Sequence, residues 1–256
     1  MKLLHSSPAA GADRFRTTQW SVVLLSAQSQ LPGSKAALAE LCRLYWFPLY
    51  AFVRRRGYNP DDAQDLTQGF FLHLLDHKAF SKVDPGKGKF RSFLLGSIKN
   101  YLSKEADRVS CLKRGGNIEF VPLDTQNAED LYRFEPSDFL TAETIFDARW
   151  ATSLLGETMS RLVNEYSAEG KTATLKALEP FLVPGNIQVV PSYEQVADQL
   201  QVSIGAVKTL IHRMRKQFTV LLREEVARTV SNPEEIDDEI HWLCEALVAS
   251  EGRLGP

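Results

Sequence analysis

The sequence predicts an all-α protein: two helical domains joined by an acidic linker, the second a helix-turn-helix, with an amphipathic helix at the C-terminal end. Three observations carry this expectation. Apolar residues recur at helical spacing along most of the chain, and no alternating strand pattern competes with them. Clusters of Gly, Pro and Asn break the apolar stripes into separate segments. Charge is also segmented, although the formal net charge is only −2. One basic stretch holds Lys87, Lys89, Arg91, Lys99, Lys104, Arg108, Lys113 and Arg114, and a second holds Lys208, Arg213, Arg215, Lys216 and Arg223. Acid gathers between them in Glu119–Asp147 and again in Glu234–Glu239. For a nucleic-acid binder such a distribution matters more than the total charge.

A chain of 256 residues can bury one large core or two small ones. Its apolar and charged fractions are those of a globular protein rather than a disordered one. No apolar run approaches the roughly 20 residues of a membrane-spanning helix. Met1–Arg16 has no apolar stretch long enough for a secretory leader. Cys42, Cys111 and Cys244 stand far apart and show no paired ligand spacing, which suits a reducing compartment. The expected location is the cytoplasm, with no membrane association. The expected divisions are a disordered N-terminus (1–16), a first helical domain (17–110), a linker (111–143), a second helical domain (144–229) and an acidic extension (230–256).

Trp20, Val23, Leu24 and Ala27 form a short stripe that Pro32-Gly33 ends. A longer one runs through Ala37, Leu41, Leu44, Tyr45, Leu49 and Phe52, where Pro48 is expected to kink or interrupt the helix. Gly57-Tyr58-Asn59-Pro60 reads as a turn, with Asn59 as N-cap and Pro60 at the first helical position. Ala63, Leu66, Phe70 and Leu74 give the next helix its apolar face. After the loop Asp84–Gly88, the pattern resumes with Phe90, Phe93, Leu94, Ile98, Tyr101 and Leu102. Periodicity fades over Cys111–Leu140. It returns with Ile145, Trp150, Leu154, Leu155, Met159 and Leu162, and continues to Leu175, Leu178 and Phe181. A final amphipathic helix carrying Ile236, Ile240, Leu243 and Leu247 starts at Asn232-Pro233.

Ser192 with Gln195 forms a capping-box signature ahead of Tyr193, Val196, Ala197 and Leu200, the expected buried face of a short helix. Gln201-Val202 is the turn, with Val202 expected to plug the angle between helices. Ser203 then caps a second helix whose Val207, Ile211 and Met214 point inward. Ala206, Lys208, Thr209, His212 and Arg213 are left on the outer side, as in a recognition helix that enters a major groove by its N-terminal end. Arg215 and Lys216 follow as phosphate-neutralising cations. A helical hairpin with a solvated basic face would share the spacing. No acid lies between Ser203 and Arg223, however, and surfaces made for solubility mix their charge signs.

Ser192–Leu222 resembles region four of extracytoplasmic-function (ECF) RNA polymerase sigma factors, through SYEQVA, S-x-G-x-V-K and H-R-x-R-K. Upstream and in the family's order, Asp61–Leu75 resembles the region-two helix that docks on core polymerase. Phe90–Arg108 resembles the adjoining helix that recognises and melts the minus-ten element. The resemblance implies region two in 17–110 and a winged-helix-like region four in 144–229. It implies polymerase contacts from Asp62, Asp65, Gln68, Gly69 and His73, with Asp65 and Gln68 foremost; the family usually carries Glu where Gly69 stands. Minus-ten contacts would come from Lys87, Lys89, Lys99, Asn100, Lys104 and Arg108, with Asn100 placed for a base edge beside the Asp84–Lys89 loop. Minus-thirty-five contacts would come from Ser203, Ala206, Lys208, Thr209, His212, Arg213, Arg215 and Lys216. Relatives often have an acid at the position of Ile204 and a base at that of Leu210.

The implied partners are core RNA polymerase and promoter DNA, with an anti-sigma factor or a regulatory kinase as further candidates. No catalytic residue, cofactor or metal is expected: no phosphate-loop or nucleophile-elbow pattern occurs, and the helical pair His73 and His77 has no evident third ligand. The alternative is a helix-turn-helix regulator whose N-terminal half senses or binds another protein. The acidic connector or the terminal helix could screen the basic face of the helix-turn-helix until polymerase is bound; the equal alternative is a solvated terminal helix that simply packs on that domain.

Overall fold

The computed structural model describes residues 34–75, 89–111, 129, 132, 140–182, 190–230 and 232–250. The expected N-terminal tail, the Trp20 stripe, the Asp84–Gly88 loop with Lys87, and most of the linker lie outside them, as do the side chains of Arg108 and Cys111 and all of His77. Among the described residues all regular structure is helical. The helices are α1 (Ser34–Arg55), α2 (Pro60–Leu75), α3 (Phe90–Cys111), α4 (Ala142–Ala168), α5 (Thr172–Leu178), α6 (Tyr193–Leu200), α7 (Ile204–Ala227) and α8 (Ile236–Ser250). Short 3-10 turns at Glu179–Phe181 and Pro233–Glu235 follow α5 and precede α8.

Local sequence accounts for several helix ends. Asn59 accepts from the Asp62 amide at 2.8 Å and starts α2. Gly57, at φ 95°, makes the turn before it, in a region that a side chain would strain. Thr141 caps α4 by accepting from the Thr144 amide, and Gly170 at φ 69° lets the chain leave that helix. Pro48 does not interrupt α1, which runs continuously past it. An interior proline costs roughly 3 kcal/mol. Here the helix packs against both α4 and α2, burying Leu44, Tyr45, Leu49 and Phe52, and this burial offsets that cost.

Among the described residues two large apolar cores form beside a small cluster of Ala51, Leu140 and Ile145, and they do not divide the chain at one point. The first joins α1, α2 and α3 to Phe146, Trp150 and Leu154 of α4, Val226 of α7 and Leu243 of α8. The second joins Leu162 and Tyr166 of α4 to α5, α6 and Val207, Ile211 and Met214 of α7. Both long helices therefore enter both cores. Phe90 is fully buried and Phe93 packs beside it, so both serve the core.

Candidate polymerase and nucleic-acid surfaces

Three helices carry the expected contact residues. On α2, Asp65 is exposed and Gln68 half-buried, off the buried row of Ala63, Thr67, Phe70 and Leu74. Asp62 is partly committed to the fold, since its carboxylate accepts from the Asn59 side-chain amide at 2.7 Å. Gly69 has an internal role: a Cβ there would fall on the Tyr101 hydroxyl of α3. The glycine leaves room for the Tyr101 hydroxyl beside α2. His73 meets the same tyrosine in a tilted ring contact, with centroids 5.5 Å apart. Between the two helices lies an open groove of about 450 Å³ lined by Tyr58, Asp62, Asp65, Leu66, Glu105 and Ala106.

On α3, Asn100 and Lys104 are exposed. Lys99 instead reaches α4, with Nζ 2.7 Å from Glu143, and this ammonium holds the Glu143 carboxyl below its ordinary range. Lys89 meets Glu239 of α8 at 2.5 Å. Arg91, which is buried, donates from Nε to the same carboxylate at 2.6 Å and lies 3.4 Å from Asp147 of α4. Its guanidinium also covers the Trp242 ring at 3.2 Å from the centroid. Burial, reinforced by Glu239, pushes the Asp147 carboxyl up to about 6 against the lowering effect of Arg91. Sequence reading missed this cluster of Lys89, Arg91, Asp147, Glu239 and Trp242.

On the helix-turn-helix, Ser192 accepts from the Gln195 amide and the Gln195 side chain accepts from the Ser192 amide, which is the full capping box. Gln201 turns the chain in the left-handed region at φ 54°, and Ser203 caps α7 through the Ala206 amide. Val207, Ile211 and Met214 are buried as expected. Lys208, Thr209, His212, Arg213 and Lys216 are exposed, and Ala206 is half-buried. Three expectations need correction. Val202 does not plug the interhelical angle, being 37% exposed; the αL turn at Gln201 swings it outward. Tyr193 is 42% exposed rather than buried, because its ring stacks on Phe181 from outside and carries Lys208 on its edge of the surface, Nζ 5.4 Å from the centroid. Arg215 donates from Nε and Nη2 to the Phe181 carbonyl, at 3.1 and 2.6 Å, so its guanidinium holds the helices together.

The terminal helix does not screen the exposed face of α7. It packs on α4 and on the far end of α7, where Asp237 pairs with Arg223, while Glu239 turns to α3. Among the described residues, no three His, Cys, Asp or Glu side chains converge on a metal-sized site, and no helix is long and apolar enough to cross a membrane.

An acidic groove between α2 and α3 thus precedes a capped helix-turn-helix whose second helix exposes Lys208, Arg213 and Lys216. Residues 45–108 match the family model for sigma-70 region 2. The chain is also 24% identical over 237 residues to the ECF RNA polymerase sigma factor SigE of Mycolicibacterium smegmatis, covering 89% of this chain and 81% of that one. Both likenesses point the same way: the chain is similar to RNA polymerase sigma factors, over region 2 by the family model and over most of its length by the ECF-type relative. No solved structure gives a significant match.

Proposed function

We propose that the chain binds core RNA polymerase through α2, opens the minus-ten element through α3 and reads the minus-thirty-five element through the outer face of α7. The observation that carries this reading is the order of parts. A sigma-70 region 2 match comes first, and a capped helix-turn-helix follows it whose second helix carries no acid from Ile204 to Arg223 and exposes Lys208, Arg213 and Lys216. On α2, the groove between Tyr58 and Glu105 supports polymerase docking, because an apolar floor with acidic walls suits an arginine or lysine with its aliphatic stem. Asn100 and Lys104 supply a base-edge group and a phosphate partner on one exposed side of α3.

The two elements are named for positions some 25 base pairs apart, roughly 85 Å of duplex. A compact chain of this length measures on the order of 50 Å across, and α4 spans about 40 Å. Contact with both elements therefore requires the two cores to part.

Run-off transcription with purified core polymerase tests the proposal. The full chain is expected to give promoter-dependent transcripts, and an Asp65→Ala/Gln68→Ala variant to lose them while still binding duplex DNA. No transcript from a broad promoter library would favour the regulator reading. Full transcription by the double variant would reject the α2 interface.

A further inference from the structure

Large apolar side chains left in water are few among the described residues, and four of them crowd the helix-turn-helix: Val190, Tyr193, Val202 and Ile204. Ile204 is the most telling. It is the first residue of α7, directly after the cap Ser203, and is 40% exposed. The core does not need it, because Val207, Ile211 and Met214 already seat the helix. Gly205 beside it is not required by the fold either: a Cβ there would meet nothing closer than Ser203 Oγ at 3.8 Å, an ordinary contact. A helical glycine costs roughly 0.5–1 kcal/mol relative to alanine. The tip of α7 thus projects one branched apolar side chain beside a bare stretch of backbone.

The surroundings narrow what this tip can meet. Ile204 and Lys208 are one turn apart and share a side of the helix. Thr209, His212, Arg213 and Lys216 continue the exposed surface, and no acid occurs from Ile204 to Arg223. A cationic face selects a polyanion. On duplex DNA, the first residues of such a helix are those that reach base edges. The only apolar group a base pair offers in the major groove is the thymine C5 methyl.

We propose that Ile204 is a specificity residue that selects thymine at one position of the minus-thirty-five element by packing on its C5 methyl. This rests on reading α7 as the major-groove helix. Lys208 and its neighbours then supply attraction to phosphate and polar base contacts, and Ile204 supplies a preference that needs no hydrogen bond.

The experiment selects randomised duplexes with the full chain bound to core polymerase, for wild type, Ile204→Ser and Ile204→Ala. Each thymine of the enriched element is then replaced by deoxyuridine, which lacks the methyl. For wild type, one replacement is expected to weaken binding roughly fourfold, the worth of one buried methyl-sized group. The same replacement should leave both variants unaffected, and the variants should lose enrichment of thymine at that position alone. Lys208→Ala should weaken binding to the methylated and unmethylated duplexes alike. Indifference of wild type to every replacement, or an undiminished methyl preference in Ile204→Ser, overturns the proposal while leaving the function above intact. Weakened transcription by the Ile204 variants with unchanged DNA selection would assign Ile204 to a protein partner instead, and also overturns it. Failure to enrich any minus-thirty-five sequence would remove the major-groove reading itself.

Discussion

Replacing Glu239 by glutamine is expected to destabilise the chain by about 2–4 kcal/mol. The Glu239 side chain is fully buried and serves two cations, Arg91 at 2.6 Å and Lys89 at 2.5 Å. Removing one partner of a buried ion pair usually costs about 3–5 kcal/mol, because the other charge stays behind without water. Two features pull the value down. Arg91 keeps Asp147 at 3.4 Å, and glutamine keeps an acceptor oxygen for the guanidinium. Lys89 is partly exposed and regains solvent. Urea unfolding of the full chain, followed by tryptophan fluorescence and circular dichroism, measures the loss. A cycle with Arg91→Leu should show a coupling of at least about 1 kcal/mol. A second readout comes from Asp147, whose carboxyl Glu239 helps to raise; in Glu239→Gln it should titrate below about 6. A destabilisation under about 0.5 kcal/mol at an unchanged m-value would refute the reasoning, since surface charges change stability by no more than that.

The Asp147 carboxyl also sets a pH dependence. Its folded value, about 6, lies above the ordinary 3.8, so the folded state holds the proton more tightly. The associated stability is present below pH ~4 and is lost as pH rises through about 6. Asp147→Asn should therefore gain roughly 2–3 kcal/mol on wild type between pH 4 and 7, and equal denaturation midpoint differences at the two pH values would contradict this. Gly69→Ala should destabilise by about 1–3 kcal/mol through overpacking against Tyr101. Adding Tyr101→Phe removes the hydroxyl in the way, and the double variant should recover and exceed the single variant by at least 1 kcal/mol or so, because alanine favours the helix. Persistent loss in the double variant would place the strain elsewhere. Gly205→Ala, which meets no steric obstacle, should raise the melting temperature slightly while weakening duplex binding, checked by thermal melts and fluorescence anisotropy.

The all-α class, the helix ends and the helix-turn-helix were legible in the sequence because they rest on short-range physics. A capping box spans four residues, a turn needs its glycine or αL residue in place, and an apolar stripe repeats within one helix. Hence Ser192–Gln195, Asn59–Pro60 and the inward row Val207, Ile211 and Met214 stand where periodicity and caps set them. Pro48 and Tyr193 departed from expectation because tertiary packing overrode a local preference in one case and the tyrosine ring stacks on the outer side of the buried Phe181 in the other.

What only the tertiary structure decided is which charges face the solvent. The chain shows a basic stretch at 87–114, but not that Lys89 and Arg91 turn inward to Glu239 or that Lys99 pairs with Glu143 at the surface. Arg91 and Glu239 are 148 residues apart, and nothing in the neighbourhood of either announces the other. The same holds for Gly69, whose reason is a tyrosine on the next helix. Local pattern fixes where a helix begins and which stripe it buries. The pairing of buried charges depends on how whole helices cross, and that geometry is set by the sum of many weak apolar contacts spread along the chain.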